Sequence, residues 1–285
     1  MKHNKILFLL SLLTLLLSSC NDMWEEKTNS EWEPKYAWEV ARIAQGVLYN
    51  AYSAIENRPD SYGSNFLDAA TDNALTSQYS SSVYALTSGK LSSTNNPIGL
   101  WNKVYTQFQY INLFLENGLT DATKYNMVDP DMDASYKTRL KGEAFFLRAY
   151  WGFRMLQMYG GKVKTGEALG YPLALHFMSE EDAMDYSQIK RNTYQECAEQ
   201  IMLDCDTAAE LLPASYAGND PVLGATEIGR ATKIAAMALK SIVALYAASP
   251  AYQSDDVISL TGMGQFSVLD EEKYKILKFF KIEKL

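Results

Sequence analysis

The sequence predicts an all-α protein built from paired helices, and three observations carry that expectation. Apolar residues recur at spacings of three and four along five segments, which is the period of a helix face. Residues that start and stop helices stand at the ends of these segments. Small residues flank the apolar row of the third segment, where a neighbouring helix can approach closely.

The first helix is expected from about Tyr36 to Glu56, with Val40, Ala44, Val47, Ala51 and Ile55 on one face. The second runs from about Ile98 to Asn117, its stripe formed by Trp101, Tyr105, Phe108, Asn112 and Leu115, and Gly118 stops it. The third, from about Tyr136 to Tyr159, presents Leu140, Ala144, Leu147, Trp151, Met155 and Met158. Gly142, Ala149 and Gly152 lie on adjoining faces, so this helix should be surrounded; Gly160 and Gly161 end it. The fourth opens with a capping box, Thr193 to Glu196, buries Tyr194, Cys197, Ile201, Cys205 and Ala208, and closes at Pro213. The fifth runs from about Arg230 to Ala248 with Ile234, Ala238, Ser241 and Leu245 in one row, and Pro250 stops it.

Stacked helical hairpins follow from this pattern. Ala149 and Phe153 fit the A-x₃-F fragment of the tetratricopeptide pattern, although no clean repeat of about 34 residues is present. Two long connections remain. Residues 60–97 are rich in Ser, Thr, Asn and Tyr, and a loop of that length inside a compact domain is often functional. Residues 160–192 form the second, where YPLALHF is expected as a short strand or an extended crossover.

The N-terminus is an address. Lys2 and Lys5 precede an apolar run, Ile6 to Leu17, that is shorter than the roughly 20 residues a membrane span needs, so residues 1–19 read as a secretory signal. L-S-S-C, Leu17 to Cys20, resembles the bacterial lipobox, which implies cleavage before Cys20 and acylation of that cysteine. The alternative is an ordinary secreted protein with an incidental cysteine. Buried acyl chains are worth about 0.8 kcal/mol per CH₂, so several chains on one residue hold a protein on a membrane. Residues 20–35 lack an apolar stripe and read as an acidic tether. Its acidic stretch resembles the surface-export signal of Bacteroidetes lipoproteins, which implies display at the cell surface.

Composition excludes several chemistries. The net charge is −8, and loss of Lys2 and Lys5 with the signal takes it to −10, so nucleic acid is a poor partner. The one lysine-rich stretch is the tail KYKILKFFKIEK. Cys197 and Cys205 lie eight apart in one helix, about 12 Å, whereas a disulfide needs roughly 4.4–6.8 Å between Cα atoms. Both are expected as buried single thiols. With His3 removed, His176 is the remaining histidine, which rules out a multi-histidine metal site; no G-x-S-x-G motif is present, and a structural role is expected for it. Asp129, Asp131 and Asp133 look like the start of a calcium loop, but Ala134 and Leu140 occupy positions that need glycine and glutamate. A solvated acidic turn is expected, with at most loosely bound calcium and no other cofactor. Glu180, Glu181, Asp182 and Asp185 supply the carboxylates a glycoside hydrolase needs, with nothing in the sequence to hold them in a pocket.

Four stretches carry a family resemblance: W-x₃-Y-x₅-I-N-x-F-L from Trp101 to Leu115; RLKGEAFFLRAYWGFRMLQMYGG from Arg139 to Gly161, running on to Y-P-L at Tyr171; the Tyr194–Pro213 helix with its D-x₄-A-E-L-L-P ending; and G-R-A-T-K-x-A-A-x-A-L-K from Gly229 to Lys240, followed by Y-A-A-S-P. With the lipobox they resemble the SusD/RagB outer-membrane nutrient-binding lipoproteins. The resemblance implies a tetratricopeptide-like helical-hairpin solenoid with long irregular loops over residues 36–253. It also implies a non-enzymatic, cell-surface, lipid-anchored outer-membrane protein that binds oligosaccharide and passes it to a SusC-like TonB-dependent transporter. Members continue well past the fourth stretch, whereas residues 254–285, ending in EEKYKILKFFKIEKL, do not resemble them. A truncated, inactive paralogue is therefore one alternative, and an α-helical glycoside hydrolase the other. Lower stability and weaker binding are expected of a shortened chain.

The family motifs do not contain its ligand residues, so candidates are chosen by chemistry. Sugars offer apolar C–H faces to aromatic rings and hydroxyl edges to amides and carboxylates. In the 60–97 segment Asp72, Asn73, Gln78, Tyr79, Tyr84, Asn95 and Asn96 supply both. Trp101, Tyr105 and Trp151 are expected to pack in the core. Arg148 and Arg230, inside apolar motifs, are expected to find buried partners that order loops.

Overall fold

A computed structural model describes residues 34–56, 65–92, 94–163, 166–184 and 189–249, with Tyr252. The signal, Cys20, most of the tether and the lysine-rich tail lie outside the described residues. The chain divides into two units, Met1–Ala37 and Trp38–Leu285, and the first enters the description only through the start of α1 (Pro34–Glu39).

The large unit is a row of helices. α2 (Ala41–Ser53), α4 (Trp101–Asn117), α5 (Pro130–Tyr159), α7 (Tyr194–Leu211) and α8 (Lys233–Ala247) each pack against the next in chain order. Short helices α3 (Ser82–Thr87) and α6 (Glu180–Met184) lie in the two long connections. This is the all-α hairpin solenoid the sequence implies, with α5 touching α2, α4, α7 and α8. Leu140, Ala144, Leu147, Trp151, Met155 and Leu156 are its buried row.

The small residues of α5 act as expected. A Cβ on Gly142 would lie 2.8 Å from Leu212 Cγ, and one on Gly152 would lie 2.6 Å from the Tyr171 hydroxyl and 3.0 Å from Ile201 Cγ1. Both glycines therefore let α7 and its flanking segments sit directly on α5. The capping box of α7 is formed: Thr193 Oγ1 accepts from the Glu196 amide at 3.1 Å, and the Thr193 amide donates to Glu196 Oε2 at 2.8 Å. Cys197 and Cys205 are buried free thiols. Burial pushes Cys197 up to about 11 and raises Cys205 as well.

Four expectations change. α5 begins at Pro130, six residues before the expected start, because Asp129 caps it and accepts from the amides of Asp131 and Met132. The acidic triplet is thus a helix start rather than a solvated turn, with Asp131 and Asp133 suited to the positive helix end. Asp133 is buried and accepts from the amides of Tyr125 (2.6 Å) and Asn126 (3.1 Å), with Lys137 at 3.0 Å. The stripe of α2 is rotated: Ala44, Leu48 and Ala51 are buried, while Val40, extended at φ −103°, precedes the helix and is exposed. In α8 the row Ile234, Ala238, Ser241 and Leu245 faces solvent, with Ile234 62% and Leu245 65% exposed. Ala236, Leu239, Val243, Ala244 and Ala247 face the core instead. An alanine-rich helix is apolar on nearly every side, so periodicity alone does not pick its inner face.

A buried network of two arginines and two glutamates fixes the approach to α8. Glu143 on α5 is fully buried between Arg139 (3.2 Å) and Arg230 (3.3 Å), and Arg139 reaches Glu227 at 2.7 Å and the Val222 carbonyl at 2.6 Å. Arg230 also pairs with Glu227 and lies over the Tyr49 ring at 4.8 Å. Burial raises the Glu143 carboxyl above its ordinary value, against the pull of both arginines. Among the described residues, no helix is long and apolar enough to cross a membrane.

Candidate functional site

The second long connection is an extended crossover, as one of the two sequence expectations had it. A hairpin of β1 (Gly161–Lys162) and β2 (Ala168–Leu169) precedes it. Residues 171–178 then run along α4 without pairing as a strand, and side chains of α4 satisfy their backbone. Tyr105 donates to the Pro172 carbonyl (2.7 Å) and Asn112 to those of Ala174 (2.9 Å) and His176 (3.0 Å). Gln109 takes both polar groups of Met178, and Glu116 accepts from the Phe177 amide. The row 105, 109, 112, 116 is one helix face, and it replaces the neighbouring strand an extended segment usually needs.

Arg148 locks this crossover to α7. Its Nε and Nη2 donate to Asp204 at 2.7 and 2.8 Å, and its Nη1 donates to Asn112 Oδ1 (3.2 Å) and the Leu175 carbonyl (3.3 Å). Arg148 and Arg230 thus both find buried carboxylates, as their place in apolar motifs implies. His176 contributes through its carbonyl, while its ring is exposed, 3.8 Å from Glu116.

The described residues between 65 and 96 are not one continuous loop, because a 3₁₀ turn (Leu67–Ala70) and α3 interrupt them. Ser81 caps α3, its hydroxyl accepting from the Tyr84 amide. Tyr84 is thereby held edge-on to Tyr79, ring centroids 4.9 Å apart, and the Tyr79 ring is 74% exposed. Gln78 accepts from Asn65 at 3.0 Å, giving an exposed amide pair beside Tyr79 in sequence. Asn73 bonds Asp68 at 3.1 Å, and Asp72 is exposed beside it in the chain. Asn95 donates to the Lys90 carbonyl at 2.7 Å, and Asn96 accepts from the Ile98 amide at 3.1 Å, so both side chains hold turns. Of the seven candidates, contact between side chains is seen for Tyr79 and Tyr84.

Two clefts flank the crossover. One, of about 740 Å³, is lined by Trp101, Tyr105, Gln109, Arg191, Asn192 and Glu196 among others. Trp101 and Tyr105 therefore border a cleft with part of their rings, and Trp151 alone of the three expected core aromatics is fully buried. The second cleft, of about 650 Å³, lies between α4, α5 and the crossover. Neither was visible in the sequence, since the first joins residues 101–109 to 172–196 and the second joins 112–119, 137–148, 175–176 and 211, all through long-range packing; the polar row on α4 was the available signal. Glu180, Glu181 and Asp182 begin α6, where Asp182 accepts from the amide and hydroxyl of Ser179, and Asp185 lies outside the described residues. Among the described residues no cluster of three or more His, Cys, Asp or Glu is placed to hold a metal ion.

The long connections of this helical-hairpin solenoid carry clefts and an exposed tyrosine, Tyr79, packed edge-on against the partly buried Tyr84. Residues 23–245 match the SusD-like family described as starch-binding and associating with the outer membrane, and the chain belongs to that family. No curated protein matches significantly. Among solved structures, the chain is similar to a SusD-like protein from Bacteroides fragilis NCTC 9343, with 29% identity and a TM-score of 0.56 over 74% of this chain and 36% of that one. A SusD-like carbohydrate-binding protein from the same strain gives 21% identity and a TM-score of 0.54 over 74% and 38%. A laminarin-binding SusD-like protein gives 20% and 0.54 over 72% and 40%. The chain thus spans well under half the length of the structures it matches.

Proposed function

We propose that this protein binds oligosaccharide at the bacterial surface and passes it to a SusC-like TonB-dependent transporter, anchored in the outer membrane by acyl chains on Cys20. The reading is of a binding protein that needs no cofactor. Family membership supports carbohydrate as the ligand class, and the single local observation is the exposed Tyr79 ring held edge-on by Tyr84. An exposed ring fixed by a capped helix offers a preorganised platform for a sugar face, and Gln78, Asp72 and Asn73 bring hydrogen-bonding groups from the same segment. Covering about 50 Å² of that ring at ~25 cal/mol per Å² is worth about 1.3 kcal/mol, roughly tenfold in Kd.

The test is calorimetric titration of the folded chain with neutral β- and α-glucan oligosaccharides, beside the Tyr79→Ala variant. Binding that weakens about tenfold in the variant supports the platform. A folded chain that binds none of the glycans sinks the reading of direct binding. Co-purification with a large outer-membrane barrel tests the transporter partnership.

A further inference from the structure

The cleft between α4, α5 and the crossover has a chemistry that neutral-sugar binding leaves unexplained. Its wall is apolar: Leu115, Leu119, Phe145, Leu175 and Leu211 all border it and all remain half-exposed. Three cations line it, and two are already engaged. Arg148 spends all three guanidinium nitrogens on Asp204, Asn112 and Leu175, and Lys137 pairs with Asp133 at 3.0 Å. Lys141, one helical turn along α5 from Lys137, is exposed and makes no hydrogen bond or ion pair among the described residues. At the opposite rim stand Glu116, whose Oε1 is occupied by the Phe177 amide, and the exposed ring of His176.

We infer that this cleft is a second ligand site that takes an acidic sugar, with a uronate carboxylate on the Lys141 ammonium. The net charge of −8 opposes an anion at long range, so the carboxylate depends on short-range, salt-sensitive pairing with Lys141, the cation of this cleft that makes no hydrogen bond or ion pair among the described residues. The sugar ring lays its C–H face against Phe145 and the leucines, and its hydroxyls reach Glu116 and His176. Glu116 opposes a second negative charge near it, so the site takes one carboxylate at the Lys141 end rather than a polyanion bound throughout. The inference extends the reading of the protein as a carbohydrate binder and rests on it, but it uses a different surface from the Tyr79 platform.

The probes are trigalacturonate and a neutral trisaccharide such as maltotriose, titrated calorimetrically into the full chain. Trigalacturonate is expected to bind, to weaken as salt rises, and to lose about tenfold or more in affinity on Lys141→Met while Lys141→Arg retains most of it. Circular dichroism confirms that both variants are folded. Uronate affinity unchanged in Lys141→Met overturns the site. Failure of trigalacturonate alone, with maltotriose still bound, overturns the inference and leaves carbohydrate binding standing; failure of both overturns the two together.

Discussion

Replacing Arg148 by Met tests the central joint of the fold. The side chain keeps its apolar stem but loses the guanidinium that binds Asp204 at 2.7 and 2.8 Å. Asp204 is 3% exposed, and its remaining side-chain donor among the described residues is Gln200 at 3.0 Å. Stranding a buried carboxylate in this way costs about 3–5 kcal/mol. For a domain of this size that lowers the Tm by roughly 6–20 °C. The loss carries a pH signature. Burial already raises the Asp204 carboxyl against the pull of Arg148, and removing Arg148 raises it further. A group with a raised folded-state pKa destabilises most when fully ionised, and the penalty fades as pH falls through its folded value. The deficit of Arg148→Met against wild type should therefore be largest at pH 7 and shrink towards pH 5. Adding Asp204→Leu should recover most of the stability, since a well-packed apolar pair often equals or exceeds a buried ion pair. Urea midpoints at both pH values read all three variants. A loss under about 1 kcal/mol, or a double variant no better than the single one, refutes the reasoning.

The other predictions use the same structure. Gly152→Ala places a Cβ 2.6 Å from the buried Tyr171 hydroxyl, so overpacking of about 1–3 kcal/mol should outweigh a helix-propensity gain of about 1; Gly46→Ala, with open space around its Cβ, should stabilise by about 1 kcal/mol in thermal melts. Cys197, pushed up to about 11 by burial, is only ~0.1% thiolate at pH 8, so Cys197 and Cys205 should resist Ellman's reagent until denaturant is added. Burial opposes ionisation of Asp133, but the amides of Asn126 and Tyr125 and the Lys137 ammonium outweigh it and hold its carboxyl below 3.8. Its stabilisation is complete above that value and lost as pH falls through the folded value, so Asp133→Asn should cost about 1.5–3 kcal/mol at pH 7 and progressively less below about pH 4 in urea titrations.

Much of this fold is legible in the sequence because its helices are marked twice, by period and by caps. Thr193 and Glu196 announce α7, and Gly142 and Gly152 announce what α5 packs against. The errors fall where one mark is missing. Asp129 is a good cap, but the three acids read as a solvated turn because the partners of Asp133 are amides at 125 and 126, which carry no sequence signal. The alanines of α8 blur its inner face, so the row containing Ile234 and Leu245 could be found but not oriented.

The site is harder to read because its geometry is built by long-range bonds. Tyr79 and Tyr84 are five apart, and the Ser81 cap that brings them together is a local signal. The clefts, in contrast, exist because the crossover is held off α4 by side chains. Tyr105, Gln109, Asn112 and Glu116 reach carbonyls and amides at 172–178, and Arg148 ties the same segment to α7. A strand in that place would bond edge to edge with a partner at about 4.8 Å and leave no room between. Side-chain tethers hold the backbone farther from its support, and the space they leave on either side is the concave surface. The polar row on α4 is thus both a structural ladder and the reason there are clefts for a ligand. A substitution such as Asn112→Leu should then damage the second cleft and the fold of the crossover together, whereas Lys141→Met should touch the cleft alone.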